Sequence, residues 1–233
     1  MSAPTNPSQT AVLRQRFESV EAAAVAGLAF AILAFVASGL LLAQPEPSAS
    51  SEELSAWFAD PGNRWSMITG LSLATIAAVM FLWFIAVIRR RVGDREDQFF
   101  ATVFLGSGIL VTAILLMGAT TMASVAIGVE LLEGSSPSEG AFTAISGLAH
   151  GLLLIVLPRI EAVFIITTST VGLRTGAFPR WLVIFGYLVG VGMFIIPLLL
   201  DPVLLIFPLW VGTMSAVLLI RRKRVRTSVA QED

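Results

Sequence analysis

Cysteine is absent from this chain of 233 residues, histidine and lysine each occur once, and charged residues make up only 13%. Without cysteine there is no disulfide framework, no thiolate nucleophile and no thiolate-held iron–sulfur cluster. The one histidine, His150, excludes an internal bis-histidine haem and a zinc site of the HExxH type, because each needs two histidines. We predict that the protein is not an enzyme and holds no cofactor or metal.

Apolar sequence is what the chain has in excess. Hydrophobic residues make up 56% of it and the mean hydropathy is +0.85. A membrane-spanning helix needs about 20 consecutive apolar residues. We predict an all-α, polytopic membrane protein, a bundle of six transmembrane helices. The approximate spans are 22–43, 65–88, 100–127, 142–172, 181–200 and 202–220. The first span is longer than the apolar core of a signal peptide, about 7 to 15 residues, so we expect it to be an uncleaved helix.

The basic residues are distributed asymmetrically between these segments. Every second gap carries them, and the intervening gaps hold Arg64 alone. Because cytoplasmic loops carry an excess of Lys and Arg, both termini are predicted to be cytoplasmic, in a bacterial plasma membrane. The chain then divides into a polar leader (1–19), the membrane domain (20–220) and a basic tail (221–233) that favours anionic lipid headgroups. The residues of the pattern are Arg14, Arg16, Arg89, Arg90, Arg91, Arg95, Arg174, Arg180, Arg221, Arg222, Lys223, Arg224 and Arg226.

Two of the apolar segments do not have the length of a simple span. Residues 142–172 would form a straight helix of about 46 Å, against a hydrocarbon core of roughly 30 Å. This helix must tilt, kink at Pro158 or project from the membrane. The stretch 181–220 is interrupted by Pro197, Asp201 and Pro208. We favour two full spans joined by a tight turn near Asp201, and a re-entrant hairpin stays open as the alternative.

Short patterns predict local structure. Ser51 is positioned to cap a short helix through Trp57 and Phe58, whose rings favour the membrane interface; a ligand-recognition helix is the alternative. Small residues let helices approach closely. We therefore expect close helix packing at the patch 118–124, at Gly147 and Gly151, and at Gly186 and Gly190.

The candidate functional residues lie on the fourth predicted helix. Arg159 and Glu161 fall near the middle of the membrane, where an ionisable group costs roughly 2.5 to 3.5 kcal/mol and needs a partner or water. Two residues apart, they point to opposite faces and are not an obvious ion pair. His150, Glu161 and Thr168 share one face and predict a polar stripe.

Three interpretations of these residues remain open. Arg159 and Glu161 could bond to hydroxyls and backbone groups of neighbouring helices and fix their packing. They could instead line a functional polar cavity, or the assigned depth could be wrong. A serine–histidine dyad of the rhomboid kind is disfavoured, because Ser107 and His150 are predicted near opposite ends of their helices, whereas a nucleophile and its base must approach within roughly 3 Å. Paired intramembrane aspartates are excluded, since the aspartates fall in loops or turns.

Three runs carry a resemblance to a known group of proteins: Trp57 to Arg64, Phe81 to Arg89, and Leu173 to Leu182. They resemble loop and interface segments of small bacterial six-span membrane proteins of unknown function, over most of the chain from about Trp57. The resemblance implies the six-span architecture and brings no substrate, cofactor or catalytic residue.

Two function classes follow from these observations. We expect a structural or accessory membrane protein that packs through its small-residue faces against a second copy or another membrane protein. The alternative is a small transporter or channel-like protein that uses His150, Arg159, Glu161 and Thr168 around a polar cavity. No feature indicates nucleic-acid binding.

Overall fold

Helices are the only regular secondary structure among the residues that the computed structural model describes, which are 7–92, 98–132, 137–195 and 201–229. The all-α prediction is confirmed for these residues. The helices are α1 (Pro7–Leu41), α2 (Ser51–Ala59), α3 (Pro61–Val92), α4 (Gln98–Leu131), α5 (Glu139–His150), a π-helix (Gly151–Val156), α6 (Leu157–Thr175), α7 (Arg180–Ile195), a 3-10 helix (Asp201–Leu205) and α8 (Ile206–Val229). Helix α1 thus begins within the predicted leader, and α8 continues into the predicted basic tail.

Within the described part of the chain, five helical segments are long and apolar enough to cross a membrane. They are Ala24–Leu41, Pro61–Arg89, Phe99–Leu131, Glu139–Thr175 and Pro202–Ile220. Helix α7 is also apolar but has 16 residues, about 24 Å, which is shorter than the hydrocarbon core. The predicted span 181–200 reaches past Ile195 into residues that lie outside the described part of the chain.

The outer faces of these helices are apolar. Ile32 of α1, Leu110 of α4 and Leu188 of α7 have more than half of their surface exposed. Soluble monomers rarely expose contiguous apolar surface of this extent. An apolar exterior around an apolar core is the pattern expected of a bundle surrounded by lipid.

The helices pack side by side around a common core of buried side chains. Helix α1 packs along α3 and α8, α3 packs along α4, α4 packs against α6, and α6 packs along α7. The Thr170 and Tyr187 hydroxyls, 2.8 Å apart, join α6 to α7. Helix α2 lies at the end of the bundle where α1 ends and α3 begins, called the α2 end below.

Helix α2 confirms the predicted short helix and corrects two of its details. Its N-cap is Ser50, not Ser51, because Ser50 Oγ accepts from the backbone N–H of Glu53 while the Glu53 carboxylate accepts from the N–H of Ser50. Phe58 is buried against Phe142, with ring centroids 6.0 Å apart. It is therefore a core residue and not an interface anchor, because only Trp57 of the two remains partly exposed.

Hydrogen bonds of charged side chains join neighbouring helices at the α2 end. Arg64 Nε donates to Glu130 Oε2 at 2.8 Å, which joins α3 to α4. Ser51 donates from its backbone N–H and its hydroxyl to Glu139 Oε1, at 2.6 and 2.7 Å, which joins α2 to α5. Arg64, the one basic residue in the intervening gaps, therefore has a structural role at this end.

The long fourth segment is helical from Glu139 to Thr175. Its winding changes from α to π at Gly151–Val156, shortly before Pro158, and returns to α from Leu157. The N–H of Leu157 bonds to Leu152 O, five residues back. Proline has no N–H and its ring crowds the preceding turn, so wider winding at this position is the expected accommodation. A distortion next to Pro158, one of the three accommodations expected for this segment, is therefore present.

Two of the three predicted close-packing sites are present. Gly186 and Gly190 of α7 lie directly against α6, where a Cβ at Gly190 would come within 2.7 Å of Ile166 Cγ1. Gly118 of α4 lies against Leu153. At the third site, Gly147 and Gly151 have open space beside them, and no helix of the described residues packs there; close packing against a second copy or another protein at this face stays a prediction.

Candidate functional site

An elongated cavity runs through the half of the bundle nearer the α2 end, between α1, α3, α4, α6 and the start of α8. It follows α1 from Phe30 to Leu41 and α4 from Val111 to Met122, about 17 Å along each helix axis. The centre of a water molecule can move through about 30 Å³ of it. Since about 10–15 Å³ of such space holds one water, the cavity has room for two or three waters.

The lining of the cavity is almost wholly apolar. Small side chains on three helices make the space: alanines on α1, α3 and α4, with leucines and a methionine between them. Among the described residues, only Ser38 and Glu161 contribute polar side-chain atoms to the lining. The alanines are Ala34, Ala37, Ala74, Ala77 and Ala119.

Glu161 lies at the end of the cavity farther from α2. Its residue surface is 4% exposed, and Oε2 has no hydrogen-bond partner among the described residues. Burying an isolated charge in apolar surroundings costs several kcal/mol. The carboxyl group must therefore be neutralised at this position, either by a proton or by a neighbouring cation.

A cluster of buried aromatic rings closes the core beyond Glu161. Phe81 of α3 lies at its centre, with ring centroids 5.0 Å from Phe30, 5.2 Å from Phe164 and 5.3 Å from Phe207. Phe164 follows Glu161 by three residues, so it lies about one helical turn further from α2. The cavity thus ends at the Glu161 carboxyl group, and a cluster of buried aromatic rings lies beyond it.

Arg159 does not enter this cavity. Its guanidinium donates to Ile155 O at 2.8 Å and to Leu154 O at 3.3 Å. The expectation that neighbouring helices supply its partners is therefore wrong. Pro158 cannot donate to the carbonyl four residues before it, which is Leu154 O, and the Arg159 side chain takes the place of that missing N–H. Arg159 and Glu161 form no ion pair, as predicted.

His150, Glu161 and Thr168, the residues of the predicted polar stripe, do not form one site. His150 Nδ1 lies 2.7 Å from Ser146 O, and the Thr168 hydroxyl donates to Phe164 O at 2.7 Å, so each bonds within its own helical path. Neither residue lines the cavity. Ser107 likewise bonds to Val103 O and Phe104 O. A Ser107–His150 dyad therefore finds no support in the geometry.

Two more buried polar groups lack partners among the described residues. They are Trp210 Nε1 and Ser215 Oγ, both on α8. The described residues contain no group of three or more His, Asp or Glu side chains able to hold a metal ion. Of the four candidate residues, Glu161 alone combines burial, an unpaired oxygen and a position on the cavity.

The alanines and Ser38 were missed by sequence reasoning. An alanine within an apolar helix carries no sign of whether a neighbour fills the space beside it. The signal that existed was the repetition of alanine on one face of α1, at positions 34 and 37, and of α3, at positions 74 and 77.

The fold and site define the class as a helical protein whose described residues include five helical segments long and apolar enough to cross a membrane. Comparisons of this chain with models of protein families, with curated protein sequences and with solved structures give no match. The resemblance of the loop segments to small bacterial six-span proteins stays a prediction.

Proposed function

We propose that the protein is a small transporter or channel-like protein whose working group is Glu161. The observation that carries this proposal is an unpaired carboxyl group, 4% exposed, at the end of a narrow cavity inside a bundle of membrane-length helices. Ionisable groups inside membranes are costly and typically mark ion or proton pathways. A residue that served only packing would have its oxygens bonded to neighbouring groups.

The Glu161 carboxyl group can exchange the proton or the cation that compensates its charge. A lone carboxyl group in an apolar site can hold a proton, or it can release the proton and pair with a cation. Alternation between these two states is the simplest way in which one residue couples a proton to a second species. Arg159 has no part in this exchange, because its side chain is engaged with Leu154 O and Ile155 O.

Reconstituted vesicles test this proposal. We expect wild-type protein to dissipate an imposed proton gradient, followed with a pH-sensitive dye, faster than protein-free vesicles do. The Glu161→Gln variant keeps the shape and one acceptor, and we expect it to fall to the protein-free rate. Glu52→Gln is the matched control, since Glu52 is exposed on α2, and should behave as wild type.

Two outcomes would overturn the proposal. One is wild-type flux equal to that of protein-free vesicles across proton, sodium and potassium gradients. The other is a Glu161→Gln variant that conducts as well as wild type.

A structural or accessory role is the second candidate, and one observation favours it. Gly147 and Gly151 have no atom within 4 Å of the position of a Cβ, and Leu148 between them is 59% exposed. A helix of a second copy or of another membrane protein could approach closely there. In this case Gly147→Leu should weaken a complex measured by crosslinking in membranes, whereas Gly192→Leu, at an equally open glycine on α7, should not.

The proposal also includes an orientation and a location. The alternating basic residues support six spans with both termini in the cytoplasm of a bacterial cell, and a basic tail next to anionic lipid headgroups. With this orientation the α2 end faces outward, and the cavity extends from Glu161 toward the outer surface.

A further inference from the structure

Two adjoining grooves lie between α3 and α4, toward the end of the bundle opposite the α2 end. Arg89 of α3 and Leu105 and Ile109 of α4 line both of them. The grooves leave about 440 and 420 Å³ to the centre of a water molecule, against about 30 Å³ in the cavity beside Glu161. They face outward, since Ile109 is 50% exposed. Hydrocarbon chains therefore have room here that the inner cavity does not offer.

Small residues make this space. Ala86 of α3 lines the first groove, and Ala101 and Gly106 of α4 line the second. A Cβ at Gly106 would meet no atom within 4 Å, so no other part of the described chain covers this position. Apart from Arg89 and the Thr102 hydroxyl, the side chains that line the grooves are apolar. This surface thus offers one positive charge beside two apolar grooves.

Two tryptophans of α3 relate Arg89 to the membrane. Trp65 and Trp83 are 56% and 61% exposed. Five helical turns separate them, so they lie on one face, about 27 Å apart along the axis. This separation is close to the roughly 30 Å hydrocarbon core, at whose two interfaces tryptophan is enriched. Arg89 lies about 9 Å beyond Trp83, so in a bilayer aligned on these two rings its guanidinium is at the level of the lipid phosphates.

We propose that these grooves bind an anionic phospholipid, with its phosphate on Arg89 and one acyl chain in each groove. A guanidinium donates parallel hydrogen bonds to phosphate oxygens. Within the described residues no acidic side chain pairs with Arg89, so its charge is open to a lipid. A net negative headgroup is favoured over a zwitterionic one, because the amine of the latter offsets its phosphate.

The combination of one cation with two apolar grooves selects this occupant. A free anion would bond to Arg89 and leave both grooves unfilled. An uncharged lipid would fill the grooves and leave the guanidinium unbonded. An anionic lipid with two chains satisfies both parts of the surface. The inference concerns an outward face of α3 and α4 and does not rest on the transport proposal.

Photocrosslinking of a lipid probe tests this inference. The probe is phosphatidylglycerol with a diazirine in the part of one acyl chain next to the headgroup, and the whole chain is placed in phosphatidylcholine nanodiscs. We expect peptide mass spectrometry to find the adducts on α3 and α4, around Ala86 and Gly106. Unlabelled phosphatidylglycerol should reduce this labelling, whereas phosphatidylethanolamine or inorganic phosphate should not.

Two pairs of variants test the two parts of the site. Arg89→Gln should reduce labelling roughly fivefold, the effect of one basic residue beside an anionic lipid surface. Arg180→Gln, at an exposed arginine of α7, should not, and Arg89→Lys should retain most of the labelling because it keeps the charge. Gly106→Phe should fill one groove and lower the labelling there, whereas Gly192→Phe, at an equally open glycine of α7, should leave it unchanged. Elution volume and unfolding temperature establish that each variant is folded.

Three outcomes would overturn the inference. One is equal labelling of wild type and Arg89→Gln. Another is an equal yield of adducts from a phosphatidylcholine probe, because any lipid would then occupy this face. The third is crosslinking between two copies at Gly106 in place of lipid adducts, which would mean that a second copy covers the grooves. None of these results depends on proton flux through Glu161, so each proposal can fail while the other stands.

Discussion

The Arg159 side chain donates to a carbonyl oxygen that lacks a backbone N–H partner, and this contact gives the sharpest structural prediction. Its guanidinium bonds to Ile155 O and Leu154 O, and Pro158 cannot supply the N–H that would otherwise reach Leu154 O. Hydrogen bonds to charged groups contribute about 1.5 to 3 kcal/mol each when well formed. Because the 3.3 Å bond is long and the side chain is partly exposed, we expect Arg159→Leu to lower the free energy of unfolding by about 2 kcal/mol.

A double-mutant cycle isolates this relation. Pro158→Ala restores an N–H at position 158 and allows an ordinary α-helical bond to Leu154 O. In that background Arg159→Leu should cost less than about 1 kcal/mol, so the coupling between positions 158 and 159 is about 1 kcal/mol. For a chain of this size, 1 kcal/mol corresponds to a shift of about 2–4 °C in unfolding temperature.

Tryptophan fluorescence during heating, in one detergent for all four proteins, measures the cycle. We expect Arg159→Leu to unfold roughly 4–8 °C below wild type, and the same change to have less than half this effect when residue 158 is alanine. Equal effects in the two backgrounds would refute the reasoning, because Arg159 would then act independently of Pro158.

The remaining predictions concern topology and packing. A cysteine at Ser50 should react with an impermeant thiol reagent in intact cells and one at Thr227 should not; labelling at position 227 in sealed cells would contradict cytoplasmic termini. Gly186→Leu should lower the unfolding temperature by roughly 5 °C, because a side chain there meets Ser169 of α6 and overpacking costs about 1–3 kcal/mol. Gly192→Leu, the control on α7, should leave that temperature nearly unchanged, and equal effects would mean that α7 does not pack on α6 through Gly186.

The sequence predicted the features that depend on composition and local geometry. The helical fold and the distortion at Pro158 follow from apolar length and from a missing N–H. Glu161 is buried within the bundle, and its predicted depth in a membrane stays a prediction.

The features that depend on contacts between helices could not be predicted in this way. Phe58 is buried because Phe142 lies opposite it, and Gly147 is exposed because no helix of the described residues faces it. The predicted hydrogen-bond partners of Arg159 were wrong because its side chain turns back along its own helical path instead of toward a neighbouring helix. The cavity depends on which faces of α1, α3 and α4 meet, and that choice is not encoded in any one segment.

The central claim is that Glu161 carries an unpaired carboxyl group at the end of an apolar cavity, and its reactivity in membranes tests this most directly. Dicyclohexylcarbodiimide, a hydrophobic carboxyl reagent, should modify Glu161 in purified membranes, as detected by peptide mass spectrometry. A water-soluble carbodiimide should instead modify the exposed Glu52 and Glu53 and leave Glu161 intact. Modification of Glu161 by the water-soluble reagent alone would place this carboxyl group in bulk water and contradict the account.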